Sequence, residues 1–483
     1  MPAPKLVWRV LVADTETPVS AALKLLVPGR GDFLLESVEG GTTRGRYSLL
    51  GLAPDLVLRA RGQAAEINRA WQTDEQAFVA CPQPTLAALR DLVTECQCDV
   101  PSELPPALAV LVGYFGYETV GLIERLPRAP ANPLDLPDLL FVRPTLLLVF
   151  DRLADLLYLV APDWTGTNEA TALDRIDAAA ARLAQPLPAG QTADVGPTHA
   201  ALAPVVPAEH YREMVLAAQR YINAGDIFQV VLAQRFTCPF PLPAFDLFRA
   251  LRRINPSPFL YHLDLPGFAL TGSSPEILVR VRDGEVTIRP IAGTRPRGRN
   301  ASEDAAHRAE LLADPKERAE HLMLLDLGRN DVGRVSEGGS VTVTDSYTVE
   351  LYSHVMHIVS NVVGRLAPGK GALDALFAGF PAGTVSGAPK VRACEIIAEL
   401  EPEARGAYAG GVGYFAPDGN LDSCIVLRTA VVKDGMMHVQ AGAGIVADSD
   451  PAAEQHECEA KAGALFAAAR DALARADEPR YGQ

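Results

Sequence analysis

Residues 145–162 read TLLLVFDRLADLLYLVAP, in which two apolar runs flank a polar segment that begins at Asp151 and ends at Asp155. Two short apolar runs joined in this way are typical of a β-hairpin. Because the strands of a hairpin run in opposite directions, the stretch predicts an antiparallel sheet. The neighbouring run LLFVRPTLLLVF is interrupted by Arg143 and Pro144, and it is shorter than the ~20 residues that a membrane-spanning helix needs.

Similar patterns extend in both directions along the chain. Apolar runs typical of strands are predicted at 33–37, 47–52, 56–62, 108–118 and 228–236. Helical spacing of apolar residues is predicted at 168–184, 208–226 and 457–476. Because strands and helices do not alternate regularly, a doubly wound βαβ sheet is not indicated. The pattern favours an α+β fold with large antiparallel sheets.

The chain divides at a segment that lacks periodicity. Residues 186–207, PLPAGQTADVGPTHAALAPVVP, are rich in Pro, Gly, Ala and Thr, a composition typical of a linker. The sequence therefore predicts an N-terminal region at 1–185, a linker at 186–207, a second region at 208–475 and a short tail at 476–483.

The charge of the chain limits its partners. The formal net charge is -15 and the isoelectric point is near 5.1. Nucleic acid and anionic membranes attract basic surfaces, so neither is expected as the main partner. A small anionic substrate is compatible with this charge, because a few arginines or a metal ion can reverse the field in one pocket.

The seven cysteines indicate neither a disulfide framework nor a zinc site. Their number is odd, and Cys96 and Cys98 are too close together to form a C-x-x-C pair. The N-terminal stretch MPAPKLVWRVLVADTETP has no signal-peptide pattern. These features predict reduced thiols in a cytoplasmic protein.

Two predicted helices carry carboxylate pairs at helical spacing. Glu317 and Glu320 share one helix face, and so do Glu454 and Glu457, with Lys461 one turn later. Taken alone, each pair is more often a solvated helix face, and Glu457 and Lys461 have the order of a surface ion pair. Two such helices together, however, could surround a hard cation such as Mg²⁺ with oxygen ligands.

Loops in the second half suit an anionic ligand. PIAGTRPRG (290–298) is a strand end with arginines close by, and PAGTVSGAPK (381–390) leads into a helix, whose N-terminus attracts anions. The glycine-rich segments AYAGGVGYF (407–415) and AGAGIV (441–446) would let a backbone approach a ligand closely. Spacing alone therefore indicates a metal ion, a small anionic substrate and tight backbone contacts.

Nine motifs occur in the order found in chorismate-utilising enzymes, which the chain resembles: GDIFQVVLAQRF, GSSPEIL, PIAGTRPRG, DLGRNDVGRV, HVMHIVSNVVG, AGTVSGAPK, YAGGVGYF, CIVLRTA and AGAGIVADSDP. This family includes anthranilate, aminodeoxychorismate, isochorismate and salicylate synthases. The resemblance covers about residues 205–470, and the N-terminal LLES and RGRYSLLG resemble the regulatory region of the first two members. It implies a sandwich of two large antiparallel sheets flanked by helices.

The resemblance also implies roles for individual residues. Glu320 and Glu457 match direct ligands of Mg²⁺, and Glu317 and Glu454 match the outer pair that holds metal-bound waters. The residues that match the chorismate-binding set are Arg428, Tyr408, Gly442, Ala443, Gly444 and Lys461. The residues that match positions near the reacting atoms are His357, Thr384, Glu276, Thr294 and Gln229, and His357 is expected to transfer protons.

Two positions distinguish among the members of this family. Members that add water place a lysine where this chain has Gln229, and aminodeoxychorismate synthases place a nucleophilic lysine where it has Ala292. Ammonia is therefore expected to attack C2 of chorismate directly, and Thr384 also matches anthranilate synthases better. The resemblance thus implies that the chain forms anthranilate and pyruvate, at the entry to tryptophan biosynthesis.

Partners follow from the same resemblance. No nucleophile-elbow cysteine and no spare domain for glutamine hydrolysis are visible, so a separate glutamine amidotransferase subunit is expected to supply ammonia in a hetero-oligomer. LLES and NPSPFL match the inhibitor site for L-tryptophan, with the candidates Glu36, Ser37, Pro258, Phe259 and Leu260.

Two alternative functions stay open on the sequence. One is the large component of aminodeoxychorismate synthase, and the other is a tryptophan-binding regulatory protein without catalysis. The complete set of four glutamates, together with His357 and Arg428, argues against the second alternative, because a sensor of tryptophan has no need of a metal site.

Overall fold

The computed structural model describes residues 4–39, 43–188, 200–352 and 355–476. Within these ranges the chain forms two twelve-stranded sheets, a two-stranded ribbon and ten α-helices. Neighbouring strands in both large sheets are antiparallel. The structure therefore has the two-sheet α+β fold that the sequence predicts.

The strands of the first region are β1 (Lys5–Val12), β2 (Asp32–Glu36), β3 (Val38–Glu39), β4 (Thr43–Arg44), β5 (Tyr47–Leu52), β6 (Leu56–Arg61), β7 (Ala64–Asn68), β8 (Val79–Ala80), β9 (Leu111–Phe115), β10 (Leu139–Arg143), β11 (Leu146–Asp151) and β12 (Leu156–Asp163). The later strands are β13 (Ala203–Pro204), β14 (Gln229–Pro239), β15 (Phe259–Leu265), β16 (Phe268–Ser274), β17 (Ile277–Arg282), β18 (Glu285–Ile288), β19 (Ile291–Pro296), β20 (Thr342–Leu351), β21 (Val355–Arg365), β22 (Gly387–Ala388), β23 (Gly411–Phe415), β24 (Leu421–Ile425), β25 (Thr429–Lys433) and β26 (Met436–Ile445).

The helices are α1 (Pro18–Leu25), α2 (Thr85–Glu95), α3 (Glu169–Leu183), α4 (Ala208–Asn223), α5 (Ala244–Ile254), α6 (Ala301–Ala313), α7 (Pro315–Gly333), α8 (Ala372–Gly379), α9 (Lys390–Leu400) and α10 (Pro451–Ala474). Two short 3-10 helices lie at Tyr117–Leu122 and Gly383–Val385.

The predicted hairpin at 145–162 is confirmed, because β11 and β12 pair with Leu147 opposite Val160. The first sheet has the order β1-β12-β11-β5-β2-β15-β16-β25-β26-β14-β13, with β22 beside β14. The second has the order β19-β21-β18-β17-β24-β23-β9-β10-β6-β7-β8, with β20 beside β21. Strands before and after the predicted linker pair directly in both sheets, as β2 with β15 and β9 with β23.

The alternation of side chains along β2 shows how the layers are arranged. Phe33 belongs to the apolar cluster between the sheets, together with Tyr114 of β9. Leu34, the next residue, belongs to a separate cluster with Ala21 of α1 and Ile176 of α3. Because successive residues of a strand face opposite sides, the first sheet buries both of its faces here, one against the second sheet and one against helices.

A third cluster, drawn from both halves of the chain, fixes the helices that surround the candidate site. It includes Val215 of α4, Leu376 of α8, Ile396 of α9 and Phe466 of α10, all of them buried. Helix α7 contacts β19 and β21, and α10 contacts β26. The N-terminal turns of α7 and α10 are thereby held beside the ends of these strands.

Parts of the predicted linker and tail, residues 189–199 and 477–483, lie outside the described residues. In the part of the chain that the structure describes, no helix is long and apolar enough to cross a membrane. All seven cysteines lie within the described residues, and none of them is paired in a disulfide there.

Candidate active site

The two glutamate-bearing helices begin in the same way. Asp314 caps α7 by accepting hydrogen bonds from the backbone N–H groups of residues 316 and 317, and Pro315 occupies the first turn, as predicted. Asp450 caps α10 in the same manner, and Pro451 again follows. Proline suits the first turn of a helix because it has no N–H to leave unpaired. Glu317 and Glu454 therefore lie in first helical turns, where the partial positive charge of the helix favours carboxylates, and Glu320 and Glu457 lie one turn later.

The carboxylates of the two helices influence one another. Burial raises the pKa of Glu320, and the charges of Glu317 on its own helix and Glu457 on α10 raise it further. Burial likewise raises the pKa of Glu454, and Glu457 adds to the effect. The structure thus brings the predicted metal ligands from both helices close enough together for their charges to repel.

Two cations already neutralise part of this cluster. Arg295 Nη1 lies 3.1 Å from Glu317 Oε1, and Lys461 Nζ lies 2.7 Å from Glu457 Oε1. Among the described residues, no three His, Cys, Asp or Glu side chains converge closely enough to hold a metal ion. The donors are carboxylate oxygens, and a cation would relieve their mutual repulsion. Such donors fit Mg²⁺, whose binding here stays a prediction.

His357, on β21, is held in one tautomer. Its Nδ1 lies 2.9 Å from the carbonyl oxygen of Gly293 on β19. A carbonyl can only accept, so Nδ1 carries the proton and Nε2 keeps a free lone pair. Nδ1 also lies 3.2 Å from Thr294 Oγ1. Burial lowers the pKa of His357 to about 4, so the imidazole is neutral near pH 7 and Nε2 can accept a proton.

Glu276 has the opposite property. It is buried just before β17, and burial raises its pKa to about 8. Thr384 Oγ1 lies 3.3 Å from Glu276 Oε1, which joins the 3-10 helix at Gly383–Val385 to this carboxyl group. Both residues line a small cavity of about 30 Å³. Near pH 7, Glu276 is therefore largely protonated and can donate a proton.

Arg428 connects these groups electrostatically. Its charge acts on both His357 and Glu276, and in the described ranges no ion pair neutralises its guanidinium. Its backbone has a φ of 48°, a left-handed conformation that costs energy for a residue other than glycine. A strained, largely desolvated arginine without an acidic partner is suited to bind a carboxylate of a ligand.

The glycine-rich strand β26 brings the remaining predicted residues together. A Cβ on Gly442 would lie 2.8 Å from Tyr408 Oη, and Lys461 Nζ donates to the Gly442 carbonyl at 2.9 Å. A Cβ on Gly444 would lie 2.4 Å from Gln229 Nε2. A Cβ at either position would displace a neighbouring side chain, and at Gly442 it would also lie 2.8 Å from the carbonyl oxygen of Leu232. Ala443, between them, is buried opposite Leu232 of β14.

A buried arginine, which no sequence motif indicated, organises this region. Arg405 donates to the carbonyl oxygens of Val385 and Val231, each at 2.7 Å, and pairs with buried Glu401. Its guanidinium also lies 5.6 Å from the ring centre of Tyr408. Arg405 therefore ties the Thr384 turn, strand β14 and Tyr408 together. Its position three residues before Tyr408 could have indicated a residue near the site. The partners that reveal its role, however, are distant in the sequence.

The predicted inhibitor residues lie in a separate cavity of about 750 Å³ between the two sheets. All five candidates line it: Glu36, Ser37, Pro258, Phe259 and Leu260. The carboxylate of Glu36 is turned away, toward Arg152 and Arg252. The side chain of Leu260 also belongs to the outer apolar cluster. Ser37, Pro258 and Phe259 are therefore the candidates whose side chains remain for a ligand.

Comparison with known proteins agrees with this arrangement. A family model described as chorismate binding enzyme matches residues 34–467. Anthranilate synthase component 1 of Cereibacter sphaeroides is 51% identical over 97% of this chain and 95% of the relative. The corresponding protein of Thermus thermophilus is 48% identical over 95% of this chain and 96% of the relative.

A solved structure extends the comparison to three dimensions. The crystal structure of anthranilate synthase component I from Streptococcus pneumoniae superposes with a TM-score of 0.78 at 35% sequence identity, covering 87% of this chain and 92% of that chain. The chain therefore belongs to the chorismate binding enzyme family, and within that family it belongs with anthranilate synthase component 1.

Proposed function

We propose that the chain converts chorismate and ammonia to anthranilate, pyruvate and water, as a Mg²⁺-dependent lyase at the first committed step of tryptophan biosynthesis. The observation that carries this proposal is the pairing of a neutral base with a protonated acid, because the pKa of His357 is about 4 and that of Glu276 is about 8. Arg428 lies within electrostatic reach of both side chains. Proton removal and proton donation can then occur on one bound ring at neutral pH.

The acid serves the first half of the reaction. The nitrogen of ammonia forms a bond to C2 of chorismate, both ring double bonds shift by one position, and the bond between C4 and its hydroxyl oxygen breaks. Glu276 gives its proton to the departing hydroxyl, which leaves as water, and the ammonium group formed on C2 then returns a proton to the carboxylate. Thr384 orients the carboxyl group. Arg428, with Tyr408 and the backbone at 442–444, holds the enolpyruvyl carboxylate during this step.

The base serves the second half. Nε2 of His357 takes the proton from C2, and the electrons form the aromatic ring as the bond between C3 and the enolpyruvyl oxygen breaks. The enolate of pyruvate is the leaving group, and it becomes pyruvate when its methylene carbon gains a proton, which balances the one that His357 took from C2. The hydrogen bond from Nδ1 of His357 to the Gly293 carbonyl keeps Nε2 free for this role and stabilises the imidazolium that forms.

Ammonia as the nucleophile is supported by Gln229. Among the described residues, Gln229 Oε1 is buried and has no hydrogen-bond partner. A buried acceptor without a donor is costly, and an N–H of ammonia could satisfy it beside the substrate. Ala292 on β19 offers no competing nucleophile.

Mg²⁺ would be held by Glu320 and Glu457, with Glu317 and Glu454 on bound waters, and it would bind the ring carboxylate and offset developing charge. Lys461 and Arg295 stabilise the same carboxylates.

A partner is expected to supply the ammonia. The relatives carry the name component 1, and we propose that a glutamine amidotransferase subunit completes a hetero-oligomer with this chain. L-tryptophan is proposed to bind the cavity between the sheets and to inhibit by favouring a less active state. The seven free thiols support the expected cytoplasmic location.

The decisive experiment supplies chorismate and Mg²⁺ to the purified chain with either ammonium salt or glutamine. We expect anthranilate fluorescence with ammonium, increasing with free NH₃ between pH 6.5 and about 7.5, below the pKa of about 8 at Glu276, and none with glutamine alone. Adding the amidotransferase subunit should restore the use of glutamine, because channelling raises the local ammonia concentration. Glutamine-dependent product from the isolated chain, free of contaminating ammonia, would contradict the proposed architecture, and aminodeoxychorismate as product would identify the alternative enzyme.

A further inference from the structure

One wall separates the cavity between the sheets from the catalytic histidine. The end of β20 forms this wall, since Glu350, Leu351 and the following residue Tyr352 all line the cavity. Strand β20 pairs with β21, and Glu350 stands directly opposite His357. A ligand in the cavity is therefore separated from His357 by a single layer of protein.

The side chain of Tyr352 reaches both sides of the wall. Its ring packs edge-on against the imidazole of His357, with 5.3 Å between the ring centres and 67° between the planes. Tyr352 is only 8% exposed, so the ring closes one side of the imidazole to solvent. Rotation of His357 away from the Gly293 carbonyl would require this ring to move.

Tyr352 is anchored on the cavity side. Its hydroxyl donates to Glu350 Oε2 at 3.2 Å, and Arg289 Nη2 donates to Glu350 Oε1 at 2.5 Å. Arg297 Nη1 donates to the backbone oxygen of Tyr352 at 2.8 Å. Because Arg289 and Glu350 line the cavity, a ligand that competes for either charge disturbs the anchor of the ring.

We propose that Tyr352 is a positioning residue for His357 and that it carries the state of the cavity to the histidine. This inference rests on the proposed function, in which His357 removes the proton from C2. With the cavity empty, the ring holds the imidazole on the Gly293 carbonyl, and Nε2 faces the substrate. A ligand bound against Arg289 and Glu350 shifts the ring, and the imidazole loses its fixed orientation.

The first test replaces Tyr352 by leucine and observes His357 by ¹⁵N NMR of histidine-labelled protein, with the signal assigned by H357Q. We expect one tautomer, protonated at Nδ1, in the natural chain and a mixture in Y352L. The turnover number kcat should fall on the order of tenfold, with little change in KM for chorismate, because orientation of the base matters after the substrate is bound. Y352F, which keeps the ring, should recover most of the turnover.

The charged groups that face the imidazole, Arg428, Glu350 and Lys461, remain in every variant. A matched control is Y221L, because Tyr221 also donates to a glutamate, at 2.6 Å, and lies against an arginine, but on α4. The control should leave the His357 signal as it is. An unchanged tautomer in Y352L would overturn the positioning role, even if its turnover fell.

The second test uses L-tryptophan as the probe of the cavity, with binding measured by calorimetry. In the natural chain it should shift the His357 resonances, and in Y352L it should still bind while the shift is lost. A shift that persists in Y352L, or no tryptophan binding to the natural chain, would overturn the transmission. If Y352L fails to fold, Y352F tests the transmission instead. Because it loses the hydrogen bond to Glu350, tryptophan should shift its His357 resonances less than those of the natural chain.

These NMR measurements need no turnover. A chain that makes no anthranilate would refute the proposed function while the spectra still decide the role of Tyr352.

Discussion

The catalytic cleft and the cavity between the sheets differ in whether their charged side chains have partners of opposite charge. In the cavity, charges are paired with one another, as Arg289 is with Glu350 at 2.5 Å and Arg280 is with Asp422 at 3.2 Å. In the cleft, the guanidinium of Arg428 has no acidic partner among the described residues. Unpaired buried charge costs stability, so its retention indicates that a ligand completes the site.

The same contrast holds for protonation. Burial in the cleft raises the pKa of Glu276 and lowers that of His357. Both side chains are therefore uncharged near pH 7 when no ligand is bound. In these uncharged forms the carboxyl group of Glu276 can donate a proton and the imidazole of His357 can accept one. The cleft therefore has the groups that the proposed proton transfers need, whereas the proposed role of the cavity is to bind an inhibitor and to transmit its presence.

The largest effect is expected from the glutamates of the cleft. E320Q or E457Q should lower turnover on the order of 100-fold while the fold is kept, because each would remove an anionic ligand from the proposed Mg²⁺ site. The measurement is anthranilate fluorescence across a Mg²⁺ titration, with circular dichroism to check folding. E209Q is the control, since Glu209 pairs only loosely with Arg212, at 3.5 Å, on an exposed turn. Turnover equal to that of the natural chain at low Mg²⁺ would refute the metal assignment.

A smaller effect is expected from Arg428. R428Q removes the cation that is free to bind the enolpyruvyl carboxylate, and charge-assisted hydrogen bonds contribute about 1.5–3 kcal/mol. We expect kcat/KM for chorismate to fall ~10–100-fold. The control is R280Q, whose arginine is already paired with Asp422 at the cavity. Equal losses in both variants would show that the contrast between the two regions is false.

The pH dependence should report the two neutral groups of the cleft. At a fixed concentration of free NH₃, kcat/KM should fall as the pH drops through about 4, because His357 then binds a proton and Nε2 is no longer a base. It should also fall as the pH rises through about 8, because Glu276 then loses the proton that it must donate. E276Q should be slow but should lack the decline at high pH. A rate that keeps rising above pH 8 would exclude Glu276 as the acid.

The sequence could predict features that depend on neighbouring residues, but not those that depend on residues far apart in the chain. The hairpin at 145–162 and the capped helix beginning at Pro315 are encoded by neighbouring residues, and both are confirmed. The direct pairing of β2 with β15 was not predicted, because apolar alternation marks a strand without naming its neighbour.

Contacts between distant side chains were also missed. The motif LLES suggested Glu36 as an inhibitor ligand, but its carboxylate is held by Arg152 and Arg252. Nothing near position 36 in the sequence indicates those partners. Tyr352 escaped notice for the same reason, since its importance lies in one ring contact with His357. The roles assigned to the site residues stay predictions until the variants are measured.

The smallest effect is expected in the cavity, where S37A and P258A should weaken inhibition by L-tryptophan more than they change uninhibited turnover. Each removes few atoms from the lining, and loss of about 1 kcal/mol of binding raises the half-inhibiting concentration about fivefold. E36Q is the informative comparison, because Glu36 lies between two arginines and its loss should lower stability instead. Inhibition curves and thermal unfolding separate the two outcomes. An unchanged inhibition curve in both S37A and P258A would contradict the binding of tryptophan in the cavity. The cavity and the cleft would then differ in charge pairing alone, without a regulatory role for the cavity.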